Sequence, residues 1–307
     1  MSGTWTTCAW CRRRRSDPPV IWRLTQRLRE PAPTVPGGRG DWSSDHLQPP
    51  AKRWRCRAIF CFFLFALTGR GAEPVAIAAA SDLIFCLEAL HGEFRRTHPD
   101  VTLRLSTGSS GNFFAQIKQG APFDVFLSAD LHYPRELIAA GLADATSVTP
   151  YAIGRLVVWT TRPQLDVTDL AALVRQSVVR KFALANPAHA PYGRAAREAL
   201  VSYGVWADAA PKIVLGENIA QTAQFIQTGN AEAGIVALSL VLAPNLKGVG
   251  RWSLIPAEHH VPLEQGAVLT RRGSARPEAV RYLEFLRSTE ARAVFERFGF
   301  QLPRASQ

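Results

Sequence analysis

Between Val75 and Phe298, short apolar runs alternate with amphipathic stretches, and this alternation limits the fold more than any other feature of the chain. Val75-Ala76-Ile77-Ala78-Ala79-Ala80 reads as a buried strand, after which Leu83, Leu87, Leu90 and Phe94 recur at helical spacing. A second strand is expected over 101–105, a loop over 107–111, and a short helix over 112–118 stopped by Gly120. A third strand over 124–128 leads to a helix over 133–140 that ends at Gly141. One long strand over 152–161 opens a second series: helix 169–175, strand 182–185, helix 193–203, strand 212–215, helix 220–228 and strand 234–237. A last extended segment, 261–270, precedes helices near 277–288 and 290–298. Short apolar strands separated by helices form mostly parallel sheets covered on both faces. Two such series linked by two long extended segments predict an α/β protein of two lobes, with two crossing strands as the hinge. No repeat of solenoid period is present.

The first 72 residues follow other rules. Residues 1–54 are rich in Arg, Pro, Ser and Trp, and the run Arg12-Arg13-Arg14-Arg15 belongs to a stretch that cannot bury a core. Lys52-Arg53-Trp54-Arg55-Cys56-Arg57 then leads into Ala58-Ile59-Phe60-Cys61-Phe62-Phe63-Leu64-Phe65-Ala66-Leu67, followed by the small residues Thr68, Gly69, Gly71 and Ala72. A charged start, a short apolar centre and a small-residue exit describe a secretory signal peptide. The apolar run falls well short of the roughly 20 residues that span a bilayer, which weighs against a membrane anchor. We therefore expect a leader over 1–72, with the signal peptide over about 52–72 and cleavage near Gly69–Ala72. The stretch upstream of position 50 reads as a gene-start artefact. Twin-arginine export is set aside because no apolar run follows Arg13–Arg15.

Charge and cysteine usage agree with this partition. The chain carries 36 Lys+Arg against 25 Asp+Glu, a net of +11. Residues 1–72 hold 13 and 4 of these, a net of +9, which leaves 23 against 21, or +2, for the rest. A basic chain suggests a nucleic-acid partner, but the working part is nearly neutral, so none is expected. Cys8, Cys11, Cys56 and Cys61 all lie in the leader, and Cys86 alone follows it, within an apolar helix pattern that marks it as core. Cys8-Ala9-Trp10-Cys11 has no second pair, so zinc is not expected there.

Enzyme signatures are missing. Gly108-Ser109-Ser110-Gly111 has the wrong spacing for a nucleophile elbow, and there is no Walker A, G-x-G-x-x-G or H-E-x-x-H. The six histidines after the leader (His91, His98, His132, His189, His259, His260) show no metal-ligand spacing and are read as solvated or capping residues. No paired carboxylates follow the strands. Asp82 is the sole candidate for a catalytic acid or base at the cleft, and it reads as a first-turn residue favouring the helix dipole.

A different device recurs. Four strand–turn–helix junctions place hydroxyls or backbone N–H groups at helix starts: Ala80-Ser81-Asp82, Ser109-Ser110-Gly111, Pro191-Tyr192-Gly193 and Glu217-Asn218-Ile219. In open α/β sheets ligands sit beyond the carboxyl ends of the strands, and helix N-termini attract anions. N-capping explains any one of these junctions. Four together, two in each series, favour an anion held between the lobes.

These segments carry a resemblance. Ala78-Ala79-Ala80-Ser81, Thr107-Gly108-Ser109-Ser110-Gly111, the block from Gly120-Ala121-Pro122-Phe123-Asp124 to Ser128-Ala129-Asp130, and Asn186-Pro187-Ala188-His189-Ala190-Pro191-Tyr192-Gly193 look like the periplasmic molybdate-binding proteins of ABC importers. Gly216-Glu217-Asn218-Ile219 and Gly234-Ile235-Val236 continue the match, which covers about 74–301. The resemblance implies a type II periplasmic-binding-protein fold, with lobe one formed by 73–153 plus 264–307 and lobe two by 154–263. It implies capture of molybdate, and also tungstate, and delivery to an ABC permease by a monomeric periplasmic protein that is not an enzyme and needs no cofactor. Carried over by position, Ser81 and Ser110, with Ser109, would donate from lobe one, and the backbone N–H groups of Tyr192 and Ile219 from lobe two. Some members place a Tyr hydroxyl where this chain has Ala237, so compensation by the Tyr192 hydroxyl is a hypothesis. Molybdate is a dianion at neutral pH, so neutral donors at helix ends suffice and no buried cation, costly to desolvate, is needed. A binder of another oxyanion such as sulfate is the alternative. The same fold also serves as the effector domain of transcription regulators, but no helix-turn-helix precedes the lobes, and a transferase on this fold would have only Asp82 to work with.

Overall fold

The computed structural model describes residues 73–303, so the expected leader and signal peptide lie outside the described residues. The first series consists of β1 (Val75–Ala80), α1 (Ile84–Thr97), β2 (Leu103–Gly108), α2 (Ser110–Lys118), β3 (Val125–Ser128), α3 (His132–Ala139) and β4 (Thr149–Gly154). The second consists of β5 (Leu156–Thr160), α4 (Leu170–Arg175), β6 (Phe182–Ala185), α5 (Pro191–Ser202), α6 (Trp206–Ala209), β7 (Ile213–Gly216), α7 (Ile219–Gln227), β8 (Ala233–Ala237), α8 (Leu238–Val241) and β9 (Arg251–Leu254). The chain closes with β10 (Leu263–Leu269), α9 (Arg271–Ser274), α10 (Pro277–Phe285) and α11 (Thr289–Arg297).

Two five-stranded sheets result, in the orders β2-β1-β3-β10-β4 and β7-β6-β8-β5-β9. In the first, β2, β1 and β3 are parallel and β10 runs antiparallel to both β3 and β4. In the second, β7, β6 and β8 are parallel and β5 runs antiparallel to both β8 and β9. The expected parallel arrangement is therefore the three-strand heart of each sheet, extended by antiparallel strands. The single long strand expected over 152–161 is two strands in different sheets, β4 and β5, separated only by Arg155. The segment from β9 to β10 makes the second crossing.

Burial explains why these segments are strands. Every residue of β1, β3, β5, β6 and β8 is buried, as expected of strands covered on both faces. Separate cores form around each sheet, one containing Trp159, Phe182 and Leu184, the other Ile77, Leu87 and Phe295. Cys86 belongs to the latter core, as expected, and burial pushes its thiol pKa up. Gly120 (φ +88°) and Gly141 (φ +67°) end α2 and α3 in the left-handed conformation that glycine adopts without steric cost. Among the described residues no helix is long and apolar enough to cross a membrane.

The buried Asp124 ties the C-terminal helices to the first sheet. Its carboxylate accepts from the Ala76 N–H at 2.7 Å and pairs with Arg272 Nε at 2.8 Å and Arg276 Nη1 at 2.7 Å. Two guanidinium partners and a backbone donor satisfy a charge that would otherwise be costly to bury.

Candidate functional site

The four junctions lie where the sheet topology puts them. β1 ends at Ala80, and Ser81 and Asp82 open the single 3₁₀ turn Ser81–Leu83 that leads into α1. β2 ends at Gly108, so Ser109 takes the N-cap position of α2 and Ser110 its first. Thr107 and Gly108, expected in a loop, complete the strand. Pro191 and Tyr192 begin α5, and Asn218 caps α7 ahead of Ile219. Because β1 pairs with β2 and β6 with β7 in parallel, each pair delivers its two junctions to the same sheet edge.

Direct hydrogen bonds draw the two edges together. Ser81 Oγ accepts from the Ala220 N–H at 3.3 Å. The Gly111 N–H donates to the His189 carbonyl at 2.9 Å, and the Ser109 hydroxyl donates to the same oxygen at 2.7 Å. The Tyr192 hydroxyl donates to Asp82 Oδ2 at 3.0 Å, and Asn112 Nδ2 to Glu217 Oε1 at 2.5 Å. A Cβ on Gly111 would lie 2.6 Å from both the His189 carbonyl oxygen and the Tyr133 hydroxyl, so this approach of the lobes requires glycine. Ser81, Ser109, Ser110, Tyr192 and Ile219 are all buried, none more than 4% exposed.

Ordinary capping accounts for one junction in four. Asn218 Oδ1 accepts from the Gln221 N–H at 3.0 Å, whereas Ala80, Ser109 and Ala190 make no side-chain cap bond. Ser110 Oγ accepts from the Ala129 N–H at 3.0 Å. A hydroxyl has one proton and two lone pairs, so Ser81 and Ser110 are anchored as acceptors and neither spends its proton on a described residue. The first-turn N–H groups of Ser110, Tyr192 and Ile219 have no acceptor among the described residues, as helix starts require. Two hydroxyl protons and three N–H groups at the junctions of both sheets are thus without an acceptor among the described residues. A cavity of about 440 Å³ opens beside Ser81, lined also by Thr107, Asn218, Gln221 and Gln224. A larger groove of about 1020 Å³ runs along α5 beside Trp206 and touches none of Ser81, Ser110, Tyr192 or Ile219, so volume alone does not mark the site.

Three residues act differently from their sequence reading. The Ser109 proton is committed to His189, whose Nδ1 lies 2.9 Å from Ser109 Oγ, so this serine joins the lobes. The Tyr192 hydroxyl is committed to Asp82 and also receives Gln265 Nε2 at 3.1 Å. With its proton on Asp82, this hydroxyl has none to spare in this form of the protein. Asp82 is not a solvated first-turn acid: it is 1% exposed, and its Oδ2 accepts from both Tyr192 and Gln265 Nε2, the latter at 2.5 Å. Burial raises its pKa to about 6 against the opposing pull of these two bonds.

His189, expected as a solvated or capping residue, bonds across the lobes, and its position between Asn186 and Pro191, beside a junction, is the signal available for it. Gln265 has none. Arg194 forms an ion pair with Asp130 of the opposite lobe and donates to the Tyr133 hydroxyl at 3.2 Å. No Lys or Arg side chain bonds Ser81, Ser110, Tyr192 or Ile219 among the described residues, and no group of three His, Cys, Asp or Glu there could hold a metal ion.

This arrangement, neutral donors at helix starts from both sheets, suits capture of a small anion. Residues 75–301 match the model of the bacterial extracellular solute-binding proteins. The chain belongs to that family. This solute-binding protein is 36% identical over 242 residues to the molybdate-binding protein ModA of Azotobacter vinelandii, covering 78% of the chain and 94% of the relative. It is 39% identical over 199 residues to ModA of Rhodobacter capsulatus, covering 65% and 77%. The solved structure of the Azotobacter vinelandii periplasmic molybdate-binding protein superposes with a TM-score of 0.70 at 31% identity, over 75% of this chain and all of that one. The solute-binding protein therefore has the two-lobed fold of that structure, with two mixed sheets flanked by helices.

Proposed function

We propose that this protein captures molybdate, and also tungstate, between its lobes in the periplasm and delivers it to an ABC permease. The observation that carries the reading is that strand-to-helix junctions of one sheet hydrogen-bond directly to those of the other, supported by the identity to ModA of Azotobacter vinelandii over 94% of that relative. Lobe one would comprise 73–153 plus 264–307 and lobe two 154–263. Ser81 and Ser110 would each donate a hydroxyl proton, and Ser110, Tyr192 and Ile219 their backbone N–H groups; Ser109 would hold the closed form through His189. Charge-assisted bonds from fixed neutral donors are about twice as strong as neutral ones, so a dianion is held without a cation. The protein is a monomer that binds and releases without catalysis.

Calorimetric titration with molybdate, tungstate, sulfate and phosphate tests this. Tight molybdate and tungstate binding with weak sulfate binding is expected, because the larger tetrahedra span the gap between donors that belong to different lobes. Tight sulfate binding with no response to molybdate would overturn the reading and favour a sulfate binder.

A further inference from the structure

Asp82 has polar neighbours and no cation. The Tyr192 hydroxyl (α5) and Gln265 Nε2 (β10) bond its Oδ2, and the Ser239 hydroxyl (α8) donates to its backbone carbonyl at 2.7 Å. Its other carboxyl oxygen, Oδ1, has no hydrogen-bond partner among the described residues, and neither has Gln265 Oε1. The remaining titratable groups that sense its charge are Tyr151 (β4) and Cys86 (α1), which burial keeps neutral, as it does Tyr192. Arg194, on the same helix as Tyr192, is occupied by Asp130 and Tyr133. Asp124, the other fully buried aspartate of lobe one, shows the contrast, with two arginines on its carboxylate. A buried carboxyl group without a cation neutralises rather than remaining charged.

We propose that Asp82 is a proton-binding site of the closed cleft, so that closure on the dianion takes up one proton from solution. This inference rests on the oxyanion reading above. Of the two side chains on the carboxyl group, Gln265 belongs to β10 of the first sheet and Tyr192 to lobe two, so opening the lobes removes Tyr192 and admits water. In the open form Asp82 is then an ordinary ionised carboxylate. Closure buries it one residue from Ser81, and a dianion held by that serine adds like charge beside it; both effects favour the neutral acid. The proton goes to the unpartnered Oδ1, while Oδ2 continues to accept from Tyr192 and Gln265. The balance is open protein with ionised Asp82, plus dianion, plus proton, giving a closed complex with neutral Asp82. Protonation at this one position removes a negative charge from the neighbourhood of the bound dianion, which a lysine could do only by adding a buried cation.

The test is titration of the purified protein with sodium molybdate at pH 5.5 and pH 7 in buffers of different ionisation enthalpy, with affinities measured across the same range. In the wild type the apparent heat should vary with the buffer in the sense of proton uptake, from about 0.1 proton per molybdate at pH 7 to about 0.7 at pH 5.5. Raising a carboxyl pKa from about 4 to 6 or above on closure strengthens binding at least about fourfold between pH 7 and pH 5.5. Asp82→Asn, which keeps an acceptor for Tyr192, should bind with buffer-independent heat and a flat pH profile, whereas His189→Gln should retain the uptake. Buffer-independent heats in the wild type, or equal uptake in Asp82→Asn, would overturn the proposal while leaving the molybdate reading intact. Uptake lost in His189→Gln would assign the proton to the histidine instead. Absence of any molybdate heat would overturn the oxyanion reading, and this inference with it.

Discussion

Ser110→Ala separates scaffolding from binding at a single atom. Ser110 is 1% exposed and its Oγ accepts from the Ala129 N–H at 3.0 Å. Truncation leaves that N–H buried without an acceptor, a loss of about 1–3 kcal/mol in free and bound protein alike. In a protein of this size each kcal/mol lowers the melting temperature by roughly 2–4 °C, so the ligand-free variant should melt about 2–12 °C below the wild type. The hydroxyl proton, unspent in the protein, is lost only from the complex, where a bond to a charged group contributes about 1.5–3 kcal/mol. Molybdate affinity should therefore fall roughly tenfold to 150-fold. Calorimetry measures the second effect and thermal melting without ligand the first. At saturating molybdate both losses appear together, since bound ligand stabilises by RT ln(1 + [L]/Kd). A variant that melts lower but binds within twofold of the wild type would refute the assignment and leave Ser110 as a structural acceptor for Ala129.

Asp124→Asn should destabilise the fold by about 3–5 kcal/mol in urea unfolding, because Arg272 and Arg276 lose the carboxylate they share; molybdate affinity of the folded variant should be unchanged. Gly193→Ala drives a Cβ into the Ala185 carbonyl at the start of α5, so titration should show a larger loss of affinity than of stability as the Tyr192 N–H is displaced. Burial lowers the pKa of His91 from 6.5 to about 4. The unfolded chain then binds the extra proton between these values, so stability is full above pH 6.5 and falls as the pH drops towards 4. The loss is on the order of 3 kcal/mol, and pH-dependent melting of His91→Leu should lack it.

Much of this was legible because the signals were local. The run from Val75 to Ala80 is apolar on both faces and became the central strand β1; Gly120 and Gly141 stopped the helices they follow. The break at Arg155 was not legible, since Tyr151–Thr160 alternates no differently where the chain leaves one sheet for the other. β9, Arg251–Leu254, escaped notice because it is an edge strand, half-exposed, with no apolar run. At the candidate site, the four junctions were legible from their place at helix starts, and the resemblance singled out Ser81, Ser110, Tyr192 and Ile219 within them. The environment of Asp82 was hidden, because Tyr192 lies 110 residues away and Gln265 183. Helix-dipole reasoning sees only the local turn and assigns such an acid to solvent.

The strand order also dictates a sequence of assembly. β5 to β9 occupy one uninterrupted stretch, so the second sheet has all its strands once Leu254 has been synthesised. The first sheet does not. β10 lies between β3 and β4, and until Leu263–Leu269 arrives both keep an unpaired edge, the kind of surface that recruits foreign strands. The nascent chain therefore finishes its later half before its earlier one. The last strand to arrive carries Gln265, so the contact that orients Asp82 forms only when the first sheet closes.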